Sequence, residues 1–168
     1  MTITTPLPLP LHAGNEMRRL ARFHRDVRWT GTVQPGGMGP GSSAMTAVGE
    51  GRHYAIQDGL WIVGDYQQDQ YFPDGTFALH WQLHWVAGWD PQVGMYRASA
   101  ADNYGHLELL SGRIEGKLLT FRSIGNPPVR IQLSWNIVDD DTMTWRNEVS
   151  VNGAPFELVE RYVCTTIR

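Results

Sequence analysis

Hydrophobic and polar positions alternate along much of the chain, most clearly between Phe77 and Asp90. Side chains of a β-strand point alternately to its two faces, so a period of two predicts a strand. One face of this strand is predicted to be aromatic, and the other to carry imidazoles. The aromatic face comprises Phe77, Leu79, Trp81, Leu83 and Trp85, and the other comprises Ala78, His80, Gln82, His84 and Val86.

The same alternation continues through residues 129–138 and 142–151, and turn signals recur roughly every 8–12 residues from Arg28 onward. Connections such as Asp58-Gly59 and Asp74-Gly75 are too short for the crossover that a parallel sheet needs. We therefore predict an all-β fold, a single antiparallel up-and-down β-barrel of about ten strands, because closure removes exposed edges. The predicted strands cover residues 28–34, 43–56, 60–72, 76–88, 94–103, 106–112, 117–124, 129–138, 142–151 and 155–166.

One short amphipathic helix is predicted before the barrel. Asn15 is placed to cap it, and the helix runs to about His24 with its apolar residues on one stripe. A helix of this kind is expected to pack against one end of the β structure. Residues 1–12 are punctuated by proline and are predicted to form an extended N-terminal segment, which leaves residues 13–168 as the barrel domain.

Composition narrows the class of protein. A chain of 168 residues with a net charge of −3 suits a single domain and gives no attraction to nucleic acid or anionic lipid. Cys164 is the single cysteine, so a disulfide framework is excluded and a reducing compartment is favoured. No stretch approaches the roughly 18 apolar residues of a membrane span, and the first ten residues do not resemble a secretion signal. We therefore expect a cytoplasmic protein with no nucleic-acid partner and no membrane partner.

Several short motifs, in their order and spacing, resemble those of a lipocalin-like bacterial family of unknown function. They are Trp29-Thr30-Gly31, Asp58-Gly59-Leu60-Trp61, Gly88-Trp89-Asp90-Pro91 and the closing Glu160-Arg161-Tyr162. The resemblance implies a calycin-type barrel, distantly similar to nitrobindin and fatty-acid-binding proteins, with a ligand cavity and no settled activity. Nitrobindin-like haem proteins have an axial histidine in their C-terminal part, whereas this chain has no histidine after His106. We therefore expect no haem and no other cofactor.

The strand before Gly88 departs from that family, which usually has Phe-Glu-Gly-Arg-Gly there, and its aromatic residues indicate a specialised ligand. Pointing inward, the aromatic face either lines a pocket for a small hydrophobic or aromatic molecule or fills a closed core. Pointing outward, it predicts a homodimer interface. We favour the inward orientation. The candidate ligand-binding residues are Trp61, Asp65, Trp81, Gln82, Trp85, Arg97, Tyr104, Trp135 and Trp145.

The imidazole face has the residue types needed for proton transfer. The expected hairpin register places Asp102 beside Gln82 and diagonal to His80 or His84, where its carboxylate would orient an imidazole as a general base. The alternative is that both histidines are solvated or structural. They lie about 13 Å apart on a strand, too far to share a zinc ion, so no metal site is predicted.

Two functions follow as hypotheses. The first is a binding barrel that holds a small hydrophobic or aromatic molecule in its interior. The second is a cofactorless cyclase, isomerase or dehydratase of secondary metabolism, acting on an aromatic or polyketide-like metabolite. In that enzyme His84 and His80 would transfer protons beside Asp102. Tyr66 or Tyr104 would stabilise the negative charge that develops on the substrate.

Overall fold

The structure, a computed structural model, describes residues 13–168, and the extended segment predicted for residues 1–12 lies outside the described residues. A helix, α1 (Asn15–Ala21), precedes ten β-strands, and a 3₁₀ turn (Gln57–Gly59) separates the second strand from the third. No helix within the described range has the length and hydrophobicity needed to cross a membrane. The strands are β1 (Val27–Val33), β2 (Met45–Ile56), β3 (Trp61–Tyr71), β4 (Phe77–Asp90), β5 (Met95–Asp102), β6 (Leu107–Glu115), β7 (Leu118–Ser123), β8 (Val129–Ile137), β9 (Thr142–Val151) and β10 (Glu157–Thr166).

Each strand pairs antiparallel with its neighbours in sequence, and β1 pairs with β10, which closes the barrel. The predicted up-and-down antiparallel barrel with a short N-terminal helix is confirmed, and the strand bounds agree within a few residues. Several connections are tight turns with glycine at positive φ, including Gly75, Gly94 and Gly116. Such turns fold each strand back along the previous one, so the antiparallel order follows from local sequence.

Helix α1 closes one end of the barrel, with Met17, Leu20 and Phe23 buried there. The hydroxyl of Tyr96, on β5, donates a hydrogen bond to the carbonyl of Glu16 at 3.0 Å. The helix therefore packs against one end of the β structure, as its amphipathic pattern predicts. We call the opposite end the mouth; it is bounded by the loops at residues 34–44, 72–76, 103–106, 124–128 and 152–156.

The helix is shorter than predicted and is capped differently. Gly14, not Asn15, occupies the N-cap position, and the helix ends at Ala21 rather than near His24. The His24 imidazole instead turns into the barrel, where Nε2 accepts a hydrogen bond from Trp85 Nε1 at 2.9 Å. A buried hydrogen bond of this kind contributes about 1 kcal/mol to stability.

Aromatic rings inside the barrel lie directly over glycines of the neighbouring strand. Tyr162 covers Gly31, and Trp29 covers Gly49. A Cβ atom at Gly49 would lie 2.4 Å from the Trp29 ring and 2.5 Å from the carbonyl oxygen of Gln67. Because glycine has no Cβ, these rings can lie flat on the wall and fill the interior of a curved sheet.

Candidate functional site

Strand register decides which residues face the interior. On β4, Trp85 lies opposite Gly64 of β3 and Ala100 of β5, and its side chain is only 1% exposed. Trp81 lies four residues earlier on the same strand and therefore shares this face. The predicted inward orientation holds from Leu79 to Trp85, whereas Phe77 lies beyond a bulge, pairs with the outward Tyr71 and is exposed. Trp81 and Trp85 thus do not form the outward stripe on which the homodimer alternative depended.

The register predicted between β4 and β5 is wrong by one residue. Asp102 lies opposite Leu83 and not beside Gln82, so it faces the interior while the β4 histidines face outward. The turn at residues 91–94 sets this register, and a shift of one residue moves every side chain of a strand to the other face. The predicted pairing of Asp102 with a β4 histidine is therefore absent.

Asp102 instead anchors the turn that follows β5. Its Oδ1 accepts hydrogen bonds from the backbone N–H groups of Tyr104 and His106 at 2.9 Å each, and its Oδ2 lies 2.9 Å from His106 Nδ1. Burial raises the pKa of Asp102, but the hydrogen bonds from His106, Tyr104 and Trp81 outweigh burial and hold it below its usual value. This carboxylate is committed to turn formation.

The β4 histidines have other carboxylate partners, on the outward faces of the strands, which we call the outer wall. His84 Nδ1 lies 2.7 Å from Asp65 Oδ1, and His80 Nδ1 lies 2.6 Å from Asp69 Oδ1. These four side chains are 40–56% exposed, and a groove of about 570 Å³ lies beside the His84 pair. The roles predicted for His80 and His84 stay predictions. The cyclase, isomerase or dehydratase alternative loses the Asp102 pairing on which its acid–base chemistry rested.

Residues predicted to contact the ligand divide between the two faces of the wall. Four of them lie on the outer wall, because they alternate with the inward set: Trp61, Asp65, Gln82 and Arg97. Tyr104 lies in the turn after β5, where its hydroxyl donates to the carbonyl of His80 at 3.1 Å. The remaining four face the interior: Trp81, Trp85, Trp135 and Trp145.

The half of the interior next to α1 is a packed core. The ring centroids of Trp85 and Trp135 lie 5.8 Å apart, and those of Trp85 and Phe121 lie 5.2 Å apart. Phe121 also meets Trp135 edge to face at 6.1 Å. All three side chains are buried. These rings therefore fill this half of the barrel.

Two histidines lie beside this core, His24 buried and His53 partly buried. Burial lowers the pKa of His24 to about 3 and that of His53 to about 4, so both are neutral at pH 7. His53 Nε2 lies 2.6 Å from the hydroxyl of Tyr66, whose pKa is raised by burial. Tyr66 is therefore engaged inside the barrel, on the opposite face of the wall from His80 and His84.

A network of hydrogen bonds crosses the interior in the half next to the mouth. Trp29 Nε1 donates to Gln68 Oε1 at 2.8 Å, and Gln68 Nε2 donates to the Tyr162 hydroxyl at 3.0 Å. That hydroxyl donates to Glu160 Oε1 at 2.6 Å, and Asn147 Nδ2 donates to Glu160 Oε2 at 3.1 Å. We call these five residues the Glu160 network, since its donors lead to that carboxylate.

The Glu160 network has unused capacity to accept hydrogen bonds. Burial raises the pKa of Glu160, and hydrogen bonds from Tyr162, Asn147 and Gln68 offset part of that effect. Within the described residues, Asn147 Oδ1 is buried without a hydrogen-bond partner. The same holds for Oε1 of Gln70, which lies two residues beyond Gln68 on β3 and is 2% exposed. Buried acceptors without partners cost free energy, so this half of the interior favours a donor.

Gln68, Gln70, Asn147 and Glu160 are not among the residues that the sequence pattern selects as ligand contacts. The sequence contains a partial signal of this polar group, because Gln68 and Gln70 occupy alternate positions of a strand and must share one face. Glu160 and Tyr162 share a face for the same reason. That these polar faces point inward follows only from the pairing of the strands.

The described residues 13–168 favour neither a metal site nor a reactive thiol. Within residues 13–168, no group of three or more His, Cys, Asp or Glu side chains is arranged to hold a metal ion. Cys164 is buried, and burial raises the pKa of its thiol to about 12. A thiol in this environment is a packing group rather than a nucleophile.

No family model matches this sequence, and no curated protein matches it. Among solved structures, the crystal structure of Rv2717c from M. tuberculosis is similar, with a TM-score of 0.62 and 12% sequence identity. The match covers 92% of this chain and 99% of that chain. At this identity the likeness shows the fold alone.

Proposed function

We propose that this protein binds a small molecule in the mouth half of its barrel. The apolar or aromatic body of the ligand packs against Trp81 and Trp145, and its polar end faces the Glu160 network. The observation that carries the proposal is the pair of buried acceptors without partners, Gln70 Oε1 and Asn147 Oδ1. A ligand with hydrogen-bond donors satisfies groups whose unpaired burial costs about 1–3 kcal/mol each.

The contrast between the two halves of the interior supports this location. The half next to α1 is filled by buried rings such as Trp85. At the edge of that core, Trp145 lies opposite Trp135, stacks on Tyr162 with centroids 4.9 Å apart and is only partly buried. Trp81 is also partly buried, with Nε1 3.4 Å from Asp102 Oδ2. Aromatic surface that remains accessible beside polar groups is typical of small-molecule sites.

Native mass spectrometry of freshly purified protein tests the proposal, together with quenching of tryptophan fluorescence by small aromatic compounds. We expect a co-purifying mass or a saturable quench. Trp81→Ala should weaken binding about fivefold, because loss of aromatic contact costs about 1 kcal/mol. Trp61→Ala is the matched control: Trp61 is also a partly buried tryptophan, on the neighbouring strand, but it faces the outer wall.

Affinity should be unchanged in the Trp61→Ala protein. A loss confined to that variant, or an equal loss in both, would place the ligand outside the barrel and contradict the proposal. So would a protein that has no co-purifying mass and whose fluorescence responds to no compound tested.

A further inference from the structure

We infer that the mouth selects ligands that carry a protonated amine over ligands that carry a carboxylate on the same body. This inference rests on the proposed function, because it names the polar end of the ligand bound there. Its basis is an inner face that combines carboxylates with buried acceptors that have no partner.

The charged groups that face the interior in the mouth half are carboxylates. Asp102, Glu108 and Glu160 occupy inward register positions on β5, β6 and β10. Arginines of the same strands take the alternate, outward positions, as Arg97 on β5 and Arg161 on β10 do. Across the described strands, the inner face next to the mouth therefore has carboxylates and no arginine or lysine to oppose them. The basic side chain nearest to Asp102 is the exposed His106 of the following turn, at 2.9 Å.

The hydrogen-bonding groups of the mouth half also favour an amine over a carboxylate. The donors of Gln68, Tyr162 and Asn147 are already used inside the Glu160 network. Two of the buried side-chain atoms without a partner among residues 13–168 occupy inward positions in the mouth half, Gln70 Oε1 and Asn147 Oδ1, and both are acceptors. Arg130 Nε, a donor without a partner, takes an outward position on β8. An ammonium group has three donors and no acceptor, whereas a carboxylate has only acceptors. An amine can therefore pair with acceptors of this kind, whereas a carboxylate cannot.

Glu160 is the acidic group that lies within this network. Its hydrogen bonds come from neutral groups, the Tyr162 hydroxyl and the Asn147 amide. A buried carboxylate without an opposite charge is poorly stabilised, and a ligand cation supplies that charge. Asp102 and Glu108 are already hydrogen-bonded to neighbouring side chains and add attraction at longer range.

Probes with matched bodies test the selectivity by isothermal titration calorimetry at pH 7. They are 2-phenylethylamine, 2-phenylethanol and 3-phenylpropionate, together with the naphthyl counterpart of each. The amine should bind about tenfold or more tightly than the carboxylate, with the alcohol between them, because the carboxylates of the mouth attract one head group and repel the other.

Variants separate charge from hydrogen bonding. Glu160→Gln keeps the size of the side chain and an acceptor but removes the charge, so amine affinity should fall about tenfold while alcohol affinity stays nearly constant. Gln70→Leu removes an acceptor without changing charge, so amine and alcohol should weaken alike. Asp65→Asn is the matched control, because it removes a carboxylate from the outer wall and should change no affinity. Circular dichroism verifies that each variant is folded.

The outcomes distinguish this inference from the proposed function. Carboxylates that bind as tightly as amines, or amine affinity that survives Glu160→Gln, would overturn the charge selectivity and leave binding at the mouth intact. Failure of every probe to bind the wild-type protein, with no co-purifying mass, would overturn both.

Discussion

His24 shows how one residue couples the helix to the core. Its Nδ1 lies 3.2 Å from the carbonyl of Leu20, and its Nε2 accepts from Trp85 Nε1 at 2.9 Å. Both contacts suit a neutral ring with its proton on Nδ1. A second proton would face the Trp85 donor and add charge to a buried site beside His53. Burial and the nearby His53 therefore lower the pKa of His24 to about 3.

The stability of the protein should consequently fall in mild acid. The pKa of His24 is about 3 in the folded protein and 6.5 when unperturbed. The contribution of neutral His24 to the free energy of unfolding is present above pH 6.5. It is lost as the pH falls toward 3, because the unfolded state binds the proton more readily. Between pH 7 and pH 5, this group alone should lower the free energy of unfolding by about 2 kcal/mol. Urea unfolding followed by tryptophan fluorescence at the two pH values measures the change.

The variant His24→Gln isolates this contribution, since glutamine does not titrate. The decrease in the free energy of unfolding between pH 7 and pH 5 should be about 2 kcal/mol smaller in the variant than in the wild-type protein. Glu160 acts in the opposite sense: burial raises its pKa, so its contribution grows as the pH falls. Comparing the two proteins cancels that effect. An unchanged pH dependence would mean that His24 is not held neutral in the folded state.

The strands of the wall depend on glycines at particular register positions. Gly49, on β2, lies beneath the Trp29 ring of β1, and Gly31 lies beneath Tyr162 of β10. Each ring also belongs to the Glu160 network. The glycines therefore position the aromatic members of the site as well as the fold.

Gly49→Ala should lower the free energy of unfolding by roughly 1–3 kcal/mol, because its Cβ would overlap a ring and a backbone carbonyl. Guanidinium unfolding and near-ultraviolet circular dichroism, which reports on tryptophan packing, measure the effect. Gly14→Ala is the control: its Cβ meets only Glu16 Oε2, at 3.4 Å. We expect the free energy of unfolding to change less in Gly14→Ala, by about 1 kcal/mol or less. Equal effects at the two sites would exclude close packing as the reason for glycine at position 49.

The molecule as a whole has one end closed by α1 and a polar interior behind the other. Leu20 is fully buried beneath the helix, whereas Leu107, at the start of β6 beside the mouth, is 67% exposed. The closed end concentrates apolar packing, and the mouth half holds the Glu160 network. The apolar packing and the polar groups of the proposed binding site thus lie largely at opposite ends of one barrel.

Leu20→Ala should therefore cost about 2–5 kcal/mol of unfolding free energy, as expected for a cavity in a packed core. Leu107→Ala, the same substitution at the mouth, should change stability by only about 0.5 kcal/mol. Thermal and urea unfolding of the two variants measure the difference. A small effect at Leu20 would show that α1 does not seal the barrel.

The alternation of side chains and the short glycine turns were enough to predict a barrel of antiparallel strands. Both are local properties, set within one strand or one turn. The stretches 129–138 and 142–151 thus correspond closely to β8 and β9. The inward orientation of Trp85 was predictable for a related reason, because large apolar faces are buried.

The site was harder to predict because its members meet only through long-range pairing. One residue of register moves Asp102 from the outer wall to the interior. Gln68 and Tyr162 are 94 residues apart, and they meet because β1 bridges β2 and β10 when the barrel closes. Local sequence determined the strands, since their period and turns are local. Tertiary structure decided which polar side chains share the interior, since closure and register depend on the whole barrel.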